Sequence, residues 1–219
     1  MRTKLVLLFV ALFITTHLFA QQGFPFADEI RAFKKQDSLH FPPSNGILFI
    51  GSSSIRKWAD LEERFPNKPI IRRGVGGCEL EQLVDFYTSY ILFPYHPKKI
   101  FIYAGDNDIA SGVPAEHVAD EFTRLWMLIH YKLPEGQIYF MSIKRCAARA
   151  KYYDEVDRAN ELIMTYLKDK PNSQFIDLNT IISKQGTQQP DSVLFEPDYI
   201  HLNKAGYDRW QKVLAPYID

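Results

Sequence analysis

Short apolar segments alternate with longer stretches of helical period from residue 46 to the end of the chain. Five of these segments are too short for a core helix, and most lack the polar alternation of a strand with one solvent-facing side. We therefore predict strands that are buried on both faces. The predicted strands span residues 46–51, 69–72, 99–104, 137–142 and 173–177.

Apolar residues between the strands recur at the three- and four-residue spacing of an amphipathic helix. Such stripes begin at Leu80, Val118, Val156 and Tyr207, and residues 26–39 are predicted to form a further helix on the outside. This alternation predicts a single α/β domain, with a five-stranded parallel sheet and helices on both faces. Ligands of such sheets bind beyond the carboxyl ends of the strands, so the residues after each strand are the candidates for chemistry.

Composition narrows the possible classes of function. The 219 residues include 26 basic and 26 acidic side chains, so the net charge is zero and favours no nucleic acid partner. Hydrophobic residues make up 46% of the chain, which is enough for a full core. Two cysteines, Cys78 and Cys146, are too few for a disulfide framework or a zinc site of their own. We expect free thiols, although an oxidising compartment would permit a bridge.

The first twenty residues have the layout of a secretory signal peptide. Arg2 and Lys4 are positively charged, residues 5–14 are uninterrupted apolar, and Ala20 supplies a small residue at the cleavage point. An N-terminal membrane anchor is the less favoured alternative, because the apolar run is short for a span. We predict a signal peptide over residues 1–20, a domain over residues 21–219, and export to the periplasm or beyond with no membrane span after cleavage.

Serine, glycine and amide side chains follow three of the predicted strands. Ser52, Ser53 and Ser54 come after the first strand, Gly77 ends a glycine cluster after the second, and Asn107 follows the third. Taken singly, each of these motifs is more often a turn or a helix cap than a site. Because the strands are parallel, however, all of these residues should meet at one edge of the sheet.

Asp198 and His201 stand three residues apart, at the end of an irregular stretch over residues 183–200 that predicts a long surface loop. One turn of chain could place the two side chains side by side. A histidine activates a serine nucleophile, a carboxylate orients the histidine, and amide N–H groups stabilise the oxyanion of the intermediate. Together, the strand-end motifs and this pair supply every part of a serine esterase.

The four motifs, in this order, resemble those of the SGNH hydrolases, also called GDSL esterases and lipases. The resemblance extends from about residue 46 to the C-terminus, in four blocks. They are Ile50-Gly51-Ser52-Ser53-Ser54-Ile55, Arg73-Gly74-Val75-Gly76-Gly77, Gly105-Asp106-Asn107-Asp108 and Asp198-x-x-His201.

Membership of that family implies a flavodoxin-like three-layer α/β/α sandwich with a five-stranded parallel sheet. It also implies a catalytic triad of Ser53, His201 and Asp198. The expected oxyanion hole consists of the backbone N–H groups of Ser53 and Gly77 and the side-chain amide of Asn107. No metal or organic cofactor is implied.

Three positions depart from the family pattern. Ser52 replaces the aspartate of the Gly-Asp-Ser motif, which lies outside the catalytic set. Arg72 stands where many relatives have asparagine, and Cys78-Glu79 where they often have Asp-Thr, so we expect the second-block loop to be held differently. A shifted alignment register would make Ser52 or Ser54 the nucleophile instead.

The expected function is that of a secreted serine esterase, which hydrolyses an acyl or acetyl ester of a carbohydrate or lipid through an acyl-enzyme. Two alternatives stay open: acyl transfer to a sugar hydroxyl at the same site, and binding of a glycan or partner without turnover. A dinucleotide site is disfavoured because the glycines at positions 74–77 have the wrong spacing and follow the second strand. Four residues near strand ends or the histidine loop are predicted to line the substrate pocket, namely Tyr103, Tyr199, Arg145 and Trp58.

Overall fold

A parallel sheet of five strands forms the centre of the molecule, in the order β2-β1-β3-β4-β5. The computed structural model describes residues 25–218, so the predicted signal peptide lies outside the described residues. All five predicted strands are confirmed, with ends that differ by at most two residues. The strands are β1 (Ile47–Gly51), β2 (Ile70–Gly74), β3 (Lys99–Tyr103), β4 (Gln137–Met141) and β5 (Ser173–Ile176).

Helices connect the strands and cover both faces of the sheet, which confirms the predicted α/β sandwich. The stripe beginning at Leu80 forms a mixed helical segment, in which a π-helix (Leu83–Leu92) lies between two short α-helices. Within residues 25–218, no helix is long and apolar enough to cross a membrane. The α-helices are α1 (Ala27–Leu39), α2 (Ser53–Arg56), α3 (Leu61–Arg64), α4 (Leu80–Gln82), α5 (Phe93–Tyr95), α6 (Asp106–Ala110), α7 (Ala115–Lys132), α8 (Tyr153–Leu167), α9 (Asn179–Ile182) and α10 (Lys204–Ile218).

The sheet separates two hydrophobic clusters. Alternate residues of β1 point to opposite faces, so Leu48 and Ile50 join the cluster under α1, α7 and α8, while Phe49 joins the cluster under α10. Phe49 stacks on Phe101 of β3 with ring centroids 4.5 Å apart. Burial on both faces explains why the strands read as continuous apolar runs.

The strand register brings the candidate motifs together. Gly51, the last residue of β1, pairs with Gly74 at the end of β2 and with Tyr103 at the end of β3. The loops that carry the serines, the glycine cluster and the Asn107 amide therefore leave the sheet at one level. This edge is also where the strand order reverses, the position at which open α/β sheets bind ligands.

Candidate active site

A tight turn after β1 presents Ser53 at the edge of the sheet. Gly51 has a φ of 128°, and a Cβ atom there would lie 1.8 Å from the carbonyl oxygen of Tyr103, so only glycine fits. The N–H of Ser52 donates to that same carbonyl at 2.9 Å, after which α2 begins at Ser53. The Ser53 side chain is half-buried, whereas those of Ser52 and Ser54 are fully buried.

Ser53, His201 and Asp198 form a continuous hydrogen-bonded chain. The Ser53 Oγ lies 2.8 Å from His201 Nε2, and His201 Nδ1 lies 2.6 Å from Asp198 Oδ2. The second carboxylate oxygen of Asp198 accepts the backbone N–H groups of Ile200 and His201, both at 2.9 Å. A serine, a histidine that can take its proton and a carboxylate that orients the histidine are thus in contact.

Asp198 and His201 lie in one loop, called the acid–base loop below, whose hydrogen bonds favour an ionised Asp198. Partial burial opposes its charge, but the hydrogen bonds from the His201 side chain and from the two backbone N–H groups outweigh that effect, and they hold the pKa of Asp198 well below its ordinary value. Lys57 also approaches the pair, with its Nζ 3.1 Å from His201 Nδ1 and 3.7 Å from the Asp198 carboxylate. Lys57 was not among the residues that the sequence singled out.

Beneath Ser53 lies a buried ionic cluster centred on Lys144. The Lys144 Nζ contacts Asp106 Oδ2 at 3.0 Å, the Tyr103 hydroxyl at 2.9 Å and the Ser54 hydroxyl at 3.2 Å. Burial opposes both charges, yet their mutual attraction wins: it raises the pKa of Lys144 and lowers that of Asp106. The Asp106 carboxylate also lies 3.5 Å from the hydroxyl of Ser52. Ser52 stands where the Gly-Asp-Ser motif has an aspartate, so here Asp106, from the segment after β3, places a carboxylate next to that position.

The amide of Asn107 contacts the second-block loop. Its Nδ2 donates to the carbonyl of Cys78 at 3.0 Å, and its Oδ1 accepts from Arg149 Nη2, also at 3.0 Å. Gly77 has a φ of 72°, which favours glycine, and no heavy atom of the described residues, apart from Gly77 and its two chain neighbours, lies within 4 Å of where a Cβ would stand. The backbone at Gly77 is therefore open to a ligand.

Sequence reasoning missed Lys144 and Arg149, although both follow β4 closely. A lysine directly after an apolar strand is a weak signal, because most lysines at strand ends point to solvent. Arg149 reaches Asn107 from 42 positions away in the chain, a contact that no local motif indicates.

Three of the four predicted pocket residues need correction. Trp58 and Tyr103 are fully buried: Trp58 stacks on Tyr207 with ring centroids 4.9 Å apart, and Tyr103 binds Lys144, so neither side chain lines an open pocket. Arg145 bonds Asp157 and lines a separate cavity of about 630 Å³ between α8 and the 183–188 loop. That cavity is not lined by Ser53, Asp198 or His201.

Tyr199 is the fourth of these residues, and it lies where the sequence placed it, in the acid–base loop. Its side chain is half exposed, and its φ of 53° belongs to the left-handed region. The Tyr199 carbonyl accepts the N–H of Ala148 at 3.4 Å, which joins the acid–base loop to the segment that carries Arg149. A role for Tyr199 in binding substrate stays a prediction.

Both cysteines are free thiols, as expected, and both are buried. Burial raises the pKa of the Cys78 thiol well above its ordinary value and also raises that of Cys146. Neither thiol is therefore suited to act as a nucleophile near neutral pH. Within the described part of the chain, no group of three or more His, Cys, Asp or Glu side chains converges as a metal site requires.

Comparison with known protein families gives a match over residues 50–209 to the model described as the GDSL-like Lipase/Acylhydrolase family. The match covers all four motifs, and it spans well over half of the chain. None of the curated proteins matches the sequence significantly.

Solved structures show the same fold at low sequence identity. A Streptococcus pneumoniae protein, provisionally described as a platelet activating factor, is 20% identical, with a TM-score of 0.77 and coverage of 96% of this chain and 99% of its own. A GDSL-like lipase from Bacteroides thetaiotaomicron is 16% identical, with a TM-score of 0.70 and coverage of 86% and 96%. A carbohydrate esterase from Talaromyces cellulolyticus is 12% identical, with a TM-score of 0.60 and coverage of 80% and 95%.

Proposed function

Because the chain belongs to the GDSL-like lipase/acylhydrolase family and is an ester-hydrolysing enzyme, we propose that it is a serine esterase whose catalytic triad is Ser53, His201 and Asp198. The observation that carries the proposal is the hydrogen-bonded chain from Ser53 Oγ to His201 Nε2 at 2.8 Å and from His201 Nδ1 to Asp198 at 2.6 Å. A serine hydroxyl is a weak nucleophile unless a base at this distance takes its proton.

Acylation begins when Ser53 Oγ attacks the ester carbonyl carbon. His201 Nε2 takes the hydroxyl proton as the new C–O bond forms, and the carbonyl oxygen becomes an oxyanion. Collapse of the tetrahedral intermediate breaks the bond to the leaving alcohol, which receives the same proton from His201. Asp198 stays ionised throughout, in keeping with its lowered pKa, and stabilises the imidazolium.

Deacylation repeats the same steps with water. His201 takes a proton from a water molecule that attacks the acyl carbon, and then returns it to Ser53 Oγ as the acid is released. The backbone N–H groups of Ser53 and Gly77 and the Asn107 amide are the proposed donors to the oxyanion. Removing one such donor typically lowers the rate by about 10² to 10³-fold.

The proposed substrate is a short acyl ester, such as an acetyl group, on a carbohydrate. The lining of a cavity of about 510 Å³ that adjoins Asp198 includes the side chains of Asp60, Glu196 and Asn203, which can hydrogen-bond the hydroxyl groups of a sugar. The structural similarity to a carbohydrate esterase supports the same class. We further propose that the enzyme acts outside the cytoplasm, on the basis of the signal peptide that residues 1–20 predict.

Hydrolysis of p-nitrophenyl acetate, butyrate and octanoate by the protein lacking residues 1–20 tests this proposal. We expect the highest kcat/KM with acetate, and a loss of more than about 10⁴-fold in Ser53→Ala. Ser52→Ala is the matched control, since it removes a hydroxyl one position away that lies 3.5 Å from Asp106 and does not contact His201.

The outcomes separate the alternatives. Equal activity of the wild type and Ser53→Ala would contradict the assignment of the nucleophile. Failure of a fluorophosphonate to label Ser53 would favour binding without turnover. Formation of an acylated sugar when a sugar acceptor is added would instead identify the enzyme as an acyltransferase.

A further inference from the structure

Both ends of the Asn107 side-chain amide are held by protein groups. The two ends of an amide have nearly the same shape, so its orientation depends on which neighbours donate and which accept. Cys78 offers a carbonyl oxygen, which only accepts, and it lies 3.0 Å from Nδ2. Arg149 offers a guanidinium, which only donates, and its Nη2 lies 3.0 Å from Oδ1. The two contacts therefore select the same orientation.

This orientation matters for the oxyanion hole of the proposed esterase. An Nδ2 group has two N–H bonds, and the carbonyl of Cys78 occupies one, which leaves the other for a substrate oxygen. In the flipped orientation, Oδ1 would face both the Cys78 carbonyl and the developing oxyanion. Two oxygen lone pairs would then meet where the reaction needs a donor.

Arg149 also contacts Asp106. Its Nη1 donates to the backbone carbonyl of Asp106 at 2.6 Å, and the guanidinium lies 3.4 Å from the Asp106 carboxylate, with 21% of the side chain exposed. Lys144 already neutralises that carboxylate at 3.0 Å, so Arg149 is a second cation and not the sole counter-charge. The same guanidinium therefore binds the backbone carbonyl of Asp106, the residue before Asn107, and the side chain of Asn107.

We propose that Arg149 is a positioning residue of the oxyanion hole, which fixes the Asn107 amide so that the N–H not bound by Cys78 faces the substrate. The inference rests on the proposed esterase function. A charged donor on Oδ1 also polarises the amide, which strengthens the hydrogen bonds that its Nδ2 group donates. Arg149 acts through Asn107 and needs no contact with the substrate.

Steady-state hydrolysis of p-nitrophenyl acetate by Arg149→Met tests this inference. Without a donor on Oδ1, the amide is free to flip and loses its polarisation, so we expect kcat to fall about 10- to 100-fold while KM changes less than about threefold. Arg149→Lys keeps one charged donor near Oδ1 and is expected to recover most of kcat. Arg124→Met is the matched control, because Arg124 is half exposed on α7 and, among the described residues, pairs with Glu121 and Asp85. We expect its kinetics to match those of the wild type.

A double-mutant comparison separates positioning from general structural damage. If Arg149 works through the amide, Arg149→Met should cost less than about threefold in kcat when Asn107 is already alanine. An unchanged Tm in Arg149→Met would show that the variant is still folded, so its loss of kcat would reflect positioning of the amide. A lowered Tm, with a kcat loss that disappears after correction for the folded fraction, would reflect structural damage instead.

The results also distinguish failure of this inference from failure of the proposed function. Full activity in Ser53→Ala or Asn107→Ala would overturn the esterase site itself. A large loss in Asn107→Ala together with wild-type kcat in Arg149→Met would overturn only the role of Arg149. Equal losses from Arg149→Met with and without the Asn107 amide would overturn it as well.

Discussion

Beneath the nucleophile, Lys144 contacts Ser54 and Asp106, which lie 90 and 38 positions away in the chain, whereas Asp198 reaches His201 across three positions. The Lys144–Asp106 pair is almost fully buried, with side-chain exposures of 0% and 4%. Asp198 is 38% exposed, and its carboxylate is held by backbone N–H groups of its own loop. The buried half of the site therefore depends on the whole fold, and the exposed half depends on one turn.

This difference predicts that the two halves respond differently to substitution. A change in the exposed half should remove activity and leave stability nearly intact, because solvent can replace the lost contacts. A change in the buried half should remove stability first, because a buried charge without its partner has no solvent to compensate it.

In the exposed half, a large effect on rate is expected from Asp198→Asn. An asparagine can still accept the backbone N–H groups of Ile200 and His201, but it no longer stabilises the imidazolium or selects the reactive tautomer of His201. We expect kcat to fall about 10³- to 10⁴-fold, whereas the midpoint of urea unfolding should fall only slightly, because the interactions that lower the pKa of Asp198 are partly exposed to solvent. A parallel loss of stability would contradict the view that this half is local.

The largest effect on stability is expected from Lys144→Met, which leaves Asp106 buried without its main counter-charge. Breaking such a pair typically costs about 3 to 5 kcal/mol. Urea denaturation of Lys144→Met should therefore show a large fall in the free energy of unfolding. Adding Asp106→Asn to Lys144→Met removes the buried charge that then has only Arg149 as a partner, and should recover part of the loss. If the double variant is no more stable than Lys144→Met, the charge of Asp106 is not the cause.

The same contrast explains what could be predicted from sequence. Strand–helix alternation predicted the sheet, because strands buried on both faces must be continuous apolar runs. The short spacing of Asp198 and His201 predicted their contact, because a single turn brings them together. Lys144 and Arg149 escaped prediction because their partners become neighbours only after β1, β3 and β4 align in the sheet.

Trp58 and Tyr103 illustrate the opposite error. An aromatic residue near a strand end fits a substrate pocket and a hydrophobic core equally well from its position alone. The deciding contact for Tyr103 is the ring of Trp210 on α10, with centroids 5.2 Å apart. Because α10 lies at the far end of the chain, no local pattern shows that it covers Tyr103.

A pH-dependent effect on stability is expected at Asp108, which is buried on α6 two positions after Asp106. Burial raises its pKa from an ordinary 3.8 to about 6, although the backbone N–H of Leu80 bonds Oδ1 at 2.9 Å. Among the described residues, no donor reaches its other oxygen, Oδ2. Between pH 4 and 6, the folded protein therefore holds a proton that the unfolded chain has lost, and stability falls as pH rises through this window.

Asp108→Asn should remove that dependence. The rise in pKa corresponds to roughly 3 kcal/mol in total, of which about 2 kcal/mol falls between pH 4.5 and pH 7.5, so the variant should gain about 2 kcal/mol relative to the wild type over that interval. Urea unfolding at the two pH values measures the difference directly. An equal effect of the substitution at both values would exclude Asp108 as the titrating group.

The smallest effect is expected at Lys57, in the exposed half. The Lys57 ammonium can only donate, so its contact with His201 Nδ1 at 3.1 Å requires the tautomer in which Nδ1 carries no proton. In that tautomer the proton is on Nε2, which then cannot accept the proton of Ser53. Asp198 selects the opposite, reactive tautomer. Lys57→Met should therefore raise kcat/KM about two- to fivefold at low ionic strength. The gain should shrink in high salt, because Lys57 and Asp198 are both partly exposed and salt screens such charges.

Lys212→Met is the matched control for this experiment, since Lys212 is exposed on α10. A gain of the same size in that variant would point to the overall charge of the protein and not to the acid–base pair. A fall in kcat/KM in Lys57→Met would mean that the ammonium supports the reactive tautomer by holding the Asp198 carboxylate in place. Either result shows whether Asp198 and His201 set the reactive tautomer by themselves or also require Lys57.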